Sequence, residues 1–363
     1  MSCLKDKYRI GIVGSLLLLA GCTSDEPTTV VPSGTPISFA CDILDDNGQP
    51  TTRVGEDPSR ELLTLRNTGF CVFAGQDEAT DLDFMYNQQV TYAAPVYPYL
   101  EEHWEYSPLK YWPRPVGTMH FHAYAPAVIT AGDGINAVTT TVGTVEKPSV
   151  PQLTFTIAEK ARDITNLLYT SQEVTSPSLT LNFRHALSRL GITMKTSAVP
   201  ADDRRILLES ITLTTGSIAK SGTFTLGATP QWTIAPADKE NTRTYVISND
   251  PESETAYAFI HNDVRYVAGL PDKWQPGTGL STTPVNILSL DDYITWLYLI
   301  PQTSLQVECT VKYYECNPAT NNYHSEEDAL SKTFTINLEK VNADQDWELR
   351  IGRTIQLNLT LKI

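Results

Sequence analysis

The feature that most constrains this chain is the return of apolar side chains at every second position. Ile37, Phe39 and Cys41 show it, as do Leu179, Leu181 and Phe183, then Leu305, Val307, Cys309 and Val311, then Phe334, Ile336 and Leu338. Successive side chains of a strand point to opposite faces, so this period makes a ribbon with one buried face. Helical spacing is nearly absent, and short stretches such as Asp203 to Glu209 read as a turn or two of helix. Turn-forming residues separate the runs, at Asp46-Asn47-Gly48, Ala131-Gly132-Asp133-Gly134, Lys220-Ser221-Gly222 and Gln275-Pro276-Gly277-Thr278-Gly279. Many short strands at this spacing predict an all-β protein built of β-sandwiches. Gln172-Glu173-Val174-Thr175-Ser176-Pro177 divides two strand-rich blocks, so residues 36–175 and 176–363 are expected to form an N-terminal and a C-terminal β-sandwich domain.

The most regular alternation is the last one. Ile355, Leu357, Leu359, Leu361 and Ile363 occupy one face, with Gln356, Asn358, Thr360 and Lys362 on the other. A strand so apolar on one side must be covered, either by its own domain or by a neighbouring subunit to which it is donated.

The first residues belong to a different kind of segment. Lys5, Lys7 and Arg9 precede an apolar run from Ile10 to Leu18, the pattern of a secretory signal. The run is too short to span a bilayer, which takes about 20 apolar residues. Leu19-Ala20-Gly21-Cys22 then matches lipoprotein processing, with residues 1–21 removed as a lipoprotein signal peptide and Cys22 acylated. A single acyl chain holds a membrane weakly, so a durable anchor needs the several chains that bacterial lipoproteins carry. Residues 22–35, rich in Thr, Pro and Val, read as a flexible tether. Asp25-Glu26 resembles the export signal that sends Bacteroidota lipoproteins to the outer face of the outer membrane.

A net charge of −15 argues against nucleic-acid partners, which call for a basic face. With Cys3 lost with the signal, Cys41, Cys71, Cys309 and Cys316 remain in a compartment that permits disulfides. Their three possible pairings, and free buried thiols, all stay open.

The chain carries no G-x-S-x-G elbow, H-E-x-x-H helix, phosphate-binding Gly-Lys-Ser/Thr loop or G-x-G-x-x-G fingerprint. His120 and His122 share one strand face but lack a third ligand at metal spacing. His185, beside Phe183 and Leu187, reads as a core or hydrogen-bonded residue. The acidic pairs Asp81/Asp83, Asp202/Asp203, Asp291/Asp292 and Asp344/Asp346 suit solvated turns better than a glycosidase cleft. No catalytic residue, metal or other cofactor is therefore expected. Tyr92, Tyr97, Tyr99, Trp104, Tyr106, Tyr111 and Trp112 cluster in sequence; exposed they would stack on sugar rings, buried they are core, and burial is the favoured reading.

An ordered set of segments resembles the fimbrillin-like proteins of Bacteroidota. In the first half these are Gly69-Phe70-Cys71-Val72-Phe73-Ala74, Phe84-Met85-Tyr86-Asn87, Trp104 to Pro113, and Phe121-His122-Ala123-Tyr124-Ala125-Pro126. In the second half they are Leu181 to Leu190 with Phe183-Arg184-His185-Ala186-Leu187, Leu299-Ile300-Pro301-Gln302, and Trp347 with Gly352. The resemblance implies two tandem transthyretin-like β-sandwich domains, lipoprotein export, and assembly into type V pili by strand exchange. An arginine-specific protease would cut after Arg53, with Arg60 and Arg66 as alternative positions, and release the strand Ile37 to Ile43, and the strand Ile355 to Ile363 would be donated to the next subunit. The partners implied are other fimbrial subunits, the outer membrane through the lipid anchor, and a host or bacterial surface ligand. The alternative is a surface lipoprotein that binds glycans through Trp104 and Trp112.

Overall fold

The computed structural model describes residues 34–44, 48, 58–76, 80–97, 101–114, 117–129, 132–144, 146–175, 177–202, 204–250, 253–261, 264–265, 279–290, 293–294, 296–302, 306–316, 330–337 and 351–363. It divides into two compact units, Met1–Gly34 and Thr35–Ile363, and the fold is that of the second.

In chain order the strands are β1 (Ala40–Ile43), β2 (Phe70–Gln76), β3 (Met85–Ala93), β4 (His103–Glu105), β5 (Met119–Ala125), β6 (Gly134–Thr140), β7 (Pro151–Thr156), β8 (Leu168–Val174) and β9 (Thr180–His185). Then come β10 (Ser188–Thr196), β11 (Arg205–Ala219), β12 (Ser221–Thr225), β13 (Gln231–Thr233), β14 (Lys239–Ser248), β15 (Ala258–Ile260) and β16 (Val285–Asn286). The series ends with β17 (Leu288–Leu290), β18 (Tyr293–Ile294), β19 (Leu297–Leu299), β20 (Gln306–Cys316), β21 (Leu330–Asn337) and β22 (Thr354–Leu361). The protein is all-β, as the period-two pattern requires.

The first sheet has the order β1-β9-β8-β5-β2-β3-β4 and faces the smaller sheet β13-β12-β7-β6. Phe73, Tyr124 and Tyr169 of the first meet Leu153, Phe155 and Phe224 of the second in a shared core. The opposite face of the first sheet is buried as well. Phe70, Val72, Phe121, Leu181 and Phe183 lie there under Ile37, Phe39, Leu65 and Trp112. Strands buried on both faces read as nearly continuous apolar runs, which is why β2 and β5 lose a clean alternation.

The third sheet is centred on β10, with β22 parallel along one edge and β16 and β19 antiparallel along the other. It packs against the sheet β18-β17-β15-β14-β11-β20-β21 around Ile192, Met194, Ile211, Leu213, Ile247, Val307 and Leu357. The alternating runs at Leu179, Val307 and Phe334 all take part in strands, β9, β20 and β21.

Two local expectations differ from the structure. Residues Arg205–Glu209 open β11 instead of a helix, because Ile206, Leu207 and Leu208 are all buried and Arg205 to Leu208 pair with β20. Conversely, Pro58–Thr68 forms the helix α1. Proline suits a first helical turn, where its missing N–H costs nothing. Leu62 and Leu65 turn towards the core, and Gly69 closes the helix at φ +66°, its N–H donating to the Leu65 carbonyl at 2.8 Å. A Cβ at Gly69 would lie 2.5 Å from the Val90 carbonyl oxygen, so only glycine fits.

Strand pairing runs across residues 175 and 176. β9 follows that point and pairs with β1 and β8, while β12 pairs with β7.

Candidate functional site

The first and last strands occupy matching positions at the two ends of one joint. β9 and β10 are separated only by Ala186 and Leu187, and each accepts a parallel strand along one edge. β1 lies on β9 with Ala40 opposite Thr180 and Ile43 opposite Phe183. β22 lies on β10 with Arg189 opposite Thr354 and Thr196 opposite Leu361. Both carry an apolar row at every second residue into a core: Ile37, Phe39, Cys41 and Ile43 in one case, Ile355, Leu357, Leu359 and Leu361 in the other.

β1 is held by short backbone contacts and by a neighbouring loop. Ala40 N–H donates to the Leu179 carbonyl at 3.1 Å and Leu44 N–H to the Phe183 carbonyl at 2.8 Å. Ahead of the strand, Ile37 N–H donates to the Lys110 carbonyl and Trp112 N–H to the Thr35 carbonyl, each at 2.9 Å. The Tyr106 hydroxyl donates to the Ile37 carbonyl at 3.0 Å. Beneath, Phe39 meets Phe70 and Tyr106 at 5.5 Å between ring centroids, and Phe70 in turn meets Phe183 at 5.5 Å and Trp104 at 5.0 Å. Removing residues 37–43 would therefore leave an aromatic groove beside the unpaired edge of β9.

At β22, Ile355, Leu357, Leu359 and Leu361 are buried in the chain's own core, whereas Ile363, beyond the strand, is 44 % exposed. Arg189 N–H donates to the Arg353 carbonyl and Ser197 N–H to the Leu361 carbonyl at 2.9 and 2.8 Å, bounding the pairing at both ends. Within the single chain the strand is covered by residues of that same chain.

The joint itself explains the Phe-Arg-His-Ala-Leu segment. Phe183 fills the groove under β1, and His185 is buried with Nδ1 3.0 Å from Asn166 Oδ1. An Arg189 guanidinium nitrogen stands 3.4 Å from His185 Nε2. Ala186 O accepts from the Trp232 indole at 2.9 Å, and its N–H donates to Leu167 O at 2.8 Å. Gln302, of the Leu-Ile-Pro-Gln segment, is buried; its oxygen accepts from Ala219 N–H at 2.8 Å and its amide donates to Ser217 O at 3.1 Å.

Among the described residues, Trp104 and Trp112 of the aromatic run pack inward. Trp112 is buried and Trp104 is half-buried between Phe70 and Tyr92, so these rings support β1; Tyr97 is 95 % exposed. Cys41, Cys71 and Cys309 are free thiols, and burial raises each above the usual thiol range, Cys309 to about 12. Among the described residues no group of three or more His, Cys, Asp or Glu side chains could hold a metal ion. His120 and His122 do share one face of β5, at a cleft that alternation does not reveal. Cys22, Arg53, Tyr99 and Trp347 lie outside the described residues.

Comparison with known proteins follows the same lines. No curated protein matches the chain. Among solved structures, a fimbrial protein from Bacteroides vulgatus is similar, with 17 % identity, 90 % of this chain and 95 % of that chain covered, and a TM-score of 0.55. A candidate cell adhesion protein from Bacteroides ovatus shares 14 % identity over 91 % of this chain and 93 % of its own, with a TM-score of 0.45. The family model described as fimbrillin-like matches residues 52–362. With that match spanning most of its length, the chain belongs to the fimbrillin-like family.

Proposed function

We propose that the protein is a structural or accessory subunit of a cell-surface fimbria, anchored by acylated Cys22 in the outer membrane, matured by cleavage after Arg53, and assembled by strand exchange to serve adhesion. It would comprise two sandwich domains, one carrying β1 and the other β22, with no catalytic role. The observation that carries this reading is the equivalence of the terminal strands. β1 and β22 are both added in parallel; β22 presents four inward side chains at period two, and β1 with the residues that lead into it presents Ile37, Phe39, Cys41 and Ile43 in the same way. A strand of the β22 type can therefore enter the groove vacated by β1 without reversing direction, and its backbone satisfies the freed edge of β9 by β-augmentation.

Donation has a cost that the geometry also defines. Withdrawing β22 uncovers four buried aliphatic side chains, each worth about 1.5–3 kcal/mol. Exchange is favourable only when the acceptor groove restores that burial. Because donor and acceptor surfaces differ, the contact is heterologous and propagates as a fibre.

The deciding experiment is N-terminal sequencing and acyl analysis of protein from the native surface, with and without an arginine-specific protease. A new N-terminus at Val54 together with a ladder of oligomers is expected. Acylated Cys22 persisting on an uncleaved monomer would overturn the exchange model.

A further inference from the structure

One end of the N-terminal sandwich interior is not apolar. Along the face shared with the β13-β12-β7-β6 sheet, β5 changes from Tyr124 to His122 and His120, and β8 changes from Tyr169 to Ser171 and Glu173. There the sheets part around a cleft of about 380 Å³, which Asp81, Leu82, Pro148, Val150 and Ala228 complete. That volume is in the range of small-molecule sites, roughly 300–1,000 Å³.

The floor is fixed and the rim is charged. His122 is buried, with Nδ1 2.9 Å from Ser171 Oγ, and Gly227 N–H donates to the same oxygen at 3.1 Å. Burial, with His120 nearby, lowers the His122 pKa to about 4, so its imidazole is a neutral hydrogen-bonding group at neutral pH. At the mouth, His120 Nδ1 stands 3.5 Å from a Glu173 oxygen, and Asp81 is exposed. Among the described residues no lysine or arginine lines the cleft, which disfavours phosphate, sulfate and carboxylate ligands. Carboxylates, imidazoles and a hydroxyl around an aliphatic wall of Leu82, Pro148 and Val150 suit a ring with several neutral hydroxyls and an apolar C–H face.

We propose that this cleft binds a neutral saccharide unit. The inference deepens the adhesion reading by giving it a ligand class, and it places the ligand on the opposite face of the sheet from the Ile37, Phe39 and Ile43 side chains. Lacking an aromatic stacking ring, the site holds one unit weakly, with a dissociation constant on the order of 1 mM, and gains strength when many subunits share a fibre.

The test is titration of the soluble, lipid-free chain with methyl glycosides of galactose, mannose and N-acetylglucosamine, followed by NMR. Nα-acetyl-lysine methylamide serves as the cationic probe. Saturable binding of a glycoside is expected, weakened about tenfold or more by Glu173→Gln and abolished by Ala228→Trp, which fills the cleft from an exposed position. Absence of binding by all three glycosides would overturn the proposal, as would binding indifferent to both variants or a preference for the lysine probe. Oligomer formation is read separately, so failure here leaves the strand-exchange result standing, and the reverse holds.

Discussion

β1 and β22 offer the same kind of face to neighbouring strands, yet the chain holds them very differently. β22 follows β10 in unbroken register over eight residue pairs. β1 pairs with β9 over only four, and the rest of its grip comes from Tyr106, Lys110 and Trp112 on a separate loop. Both are edge strands of their sheets, but β22 is paired along most of β10, whereas β1 is a short edge strand whose inner side chains close a core that already has aromatic walls.

The largest effect that would test this contrast comes from Leu357→Asp. It puts a carboxylate into the core under β22 and is expected to destabilise the monomer by more than about 4 kcal/mol in denaturant unfolding. An unchanged midpoint would mean that β22 does not stay in its own sheet. Phe39→Ala comes next, with a loss of about 3–5 kcal/mol in the uncleaved chain. Because Phe39 leaves with β1, the same substitution should have no effect on a chain already cleaved and filled by a donor strand. Equal effects before and after cleavage would show that β1 is retained.

Acid gives a reference that neither strand should alter. His122 titrates at about 4 in the folded protein against 6.5 in its ordinary state, so the unfolded chain binds the extra proton first. Its contribution is complete above pH 6.5 and is lost as pH falls towards 4, by roughly 3 kcal/mol. His122→Gln should flatten that part of the pH–stability curve in cleaved and uncleaved chains alike. The smallest effect is Tyr106→Phe, which removes the hydrogen bond to the Ile37 carbonyl at a cost of about 1 kcal/mol. Its informative readout is faster release of the β1 segment after proteolysis; an unchanged rate would mean the loop does not retain the strand.

Much of the fold is legible in the order of residues alone. The alternation at Leu179, Leu181 and Phe183 marks β9, and the apolar row from Ile355 to Leu361 marks β22 with its inward face. Ile363 breaks the pattern because alternation continues past the point where pairing stops. α1 escapes such a reading because, among its described side chains, Leu62 and Leu65 are the ones packed inward, too few to mark a helical period. The short run at Arg205–Glu209 misleads for the opposite reason: its identity as strand depends on pairing with β20, which lies far along the chain. Trp104 and Trp112 stand out as ring-bearing residues, but which way the rings point is decided by Phe70, Tyr92 and Phe121 around them.

By itself, then, the sequence determined the secondary-structure class, the buried faces of the regular strands and the family resemblance, because these follow from local periodicity and ordered motifs. Tertiary structure alone decided which strands are neighbours. It set β1 and β22 parallel on either side of the Ala186-Leu187 joint, and it opened the His120–His122 face into a cleft. Both depend on contacts between residues far apart in the chain, whose geometry no local pattern encodes.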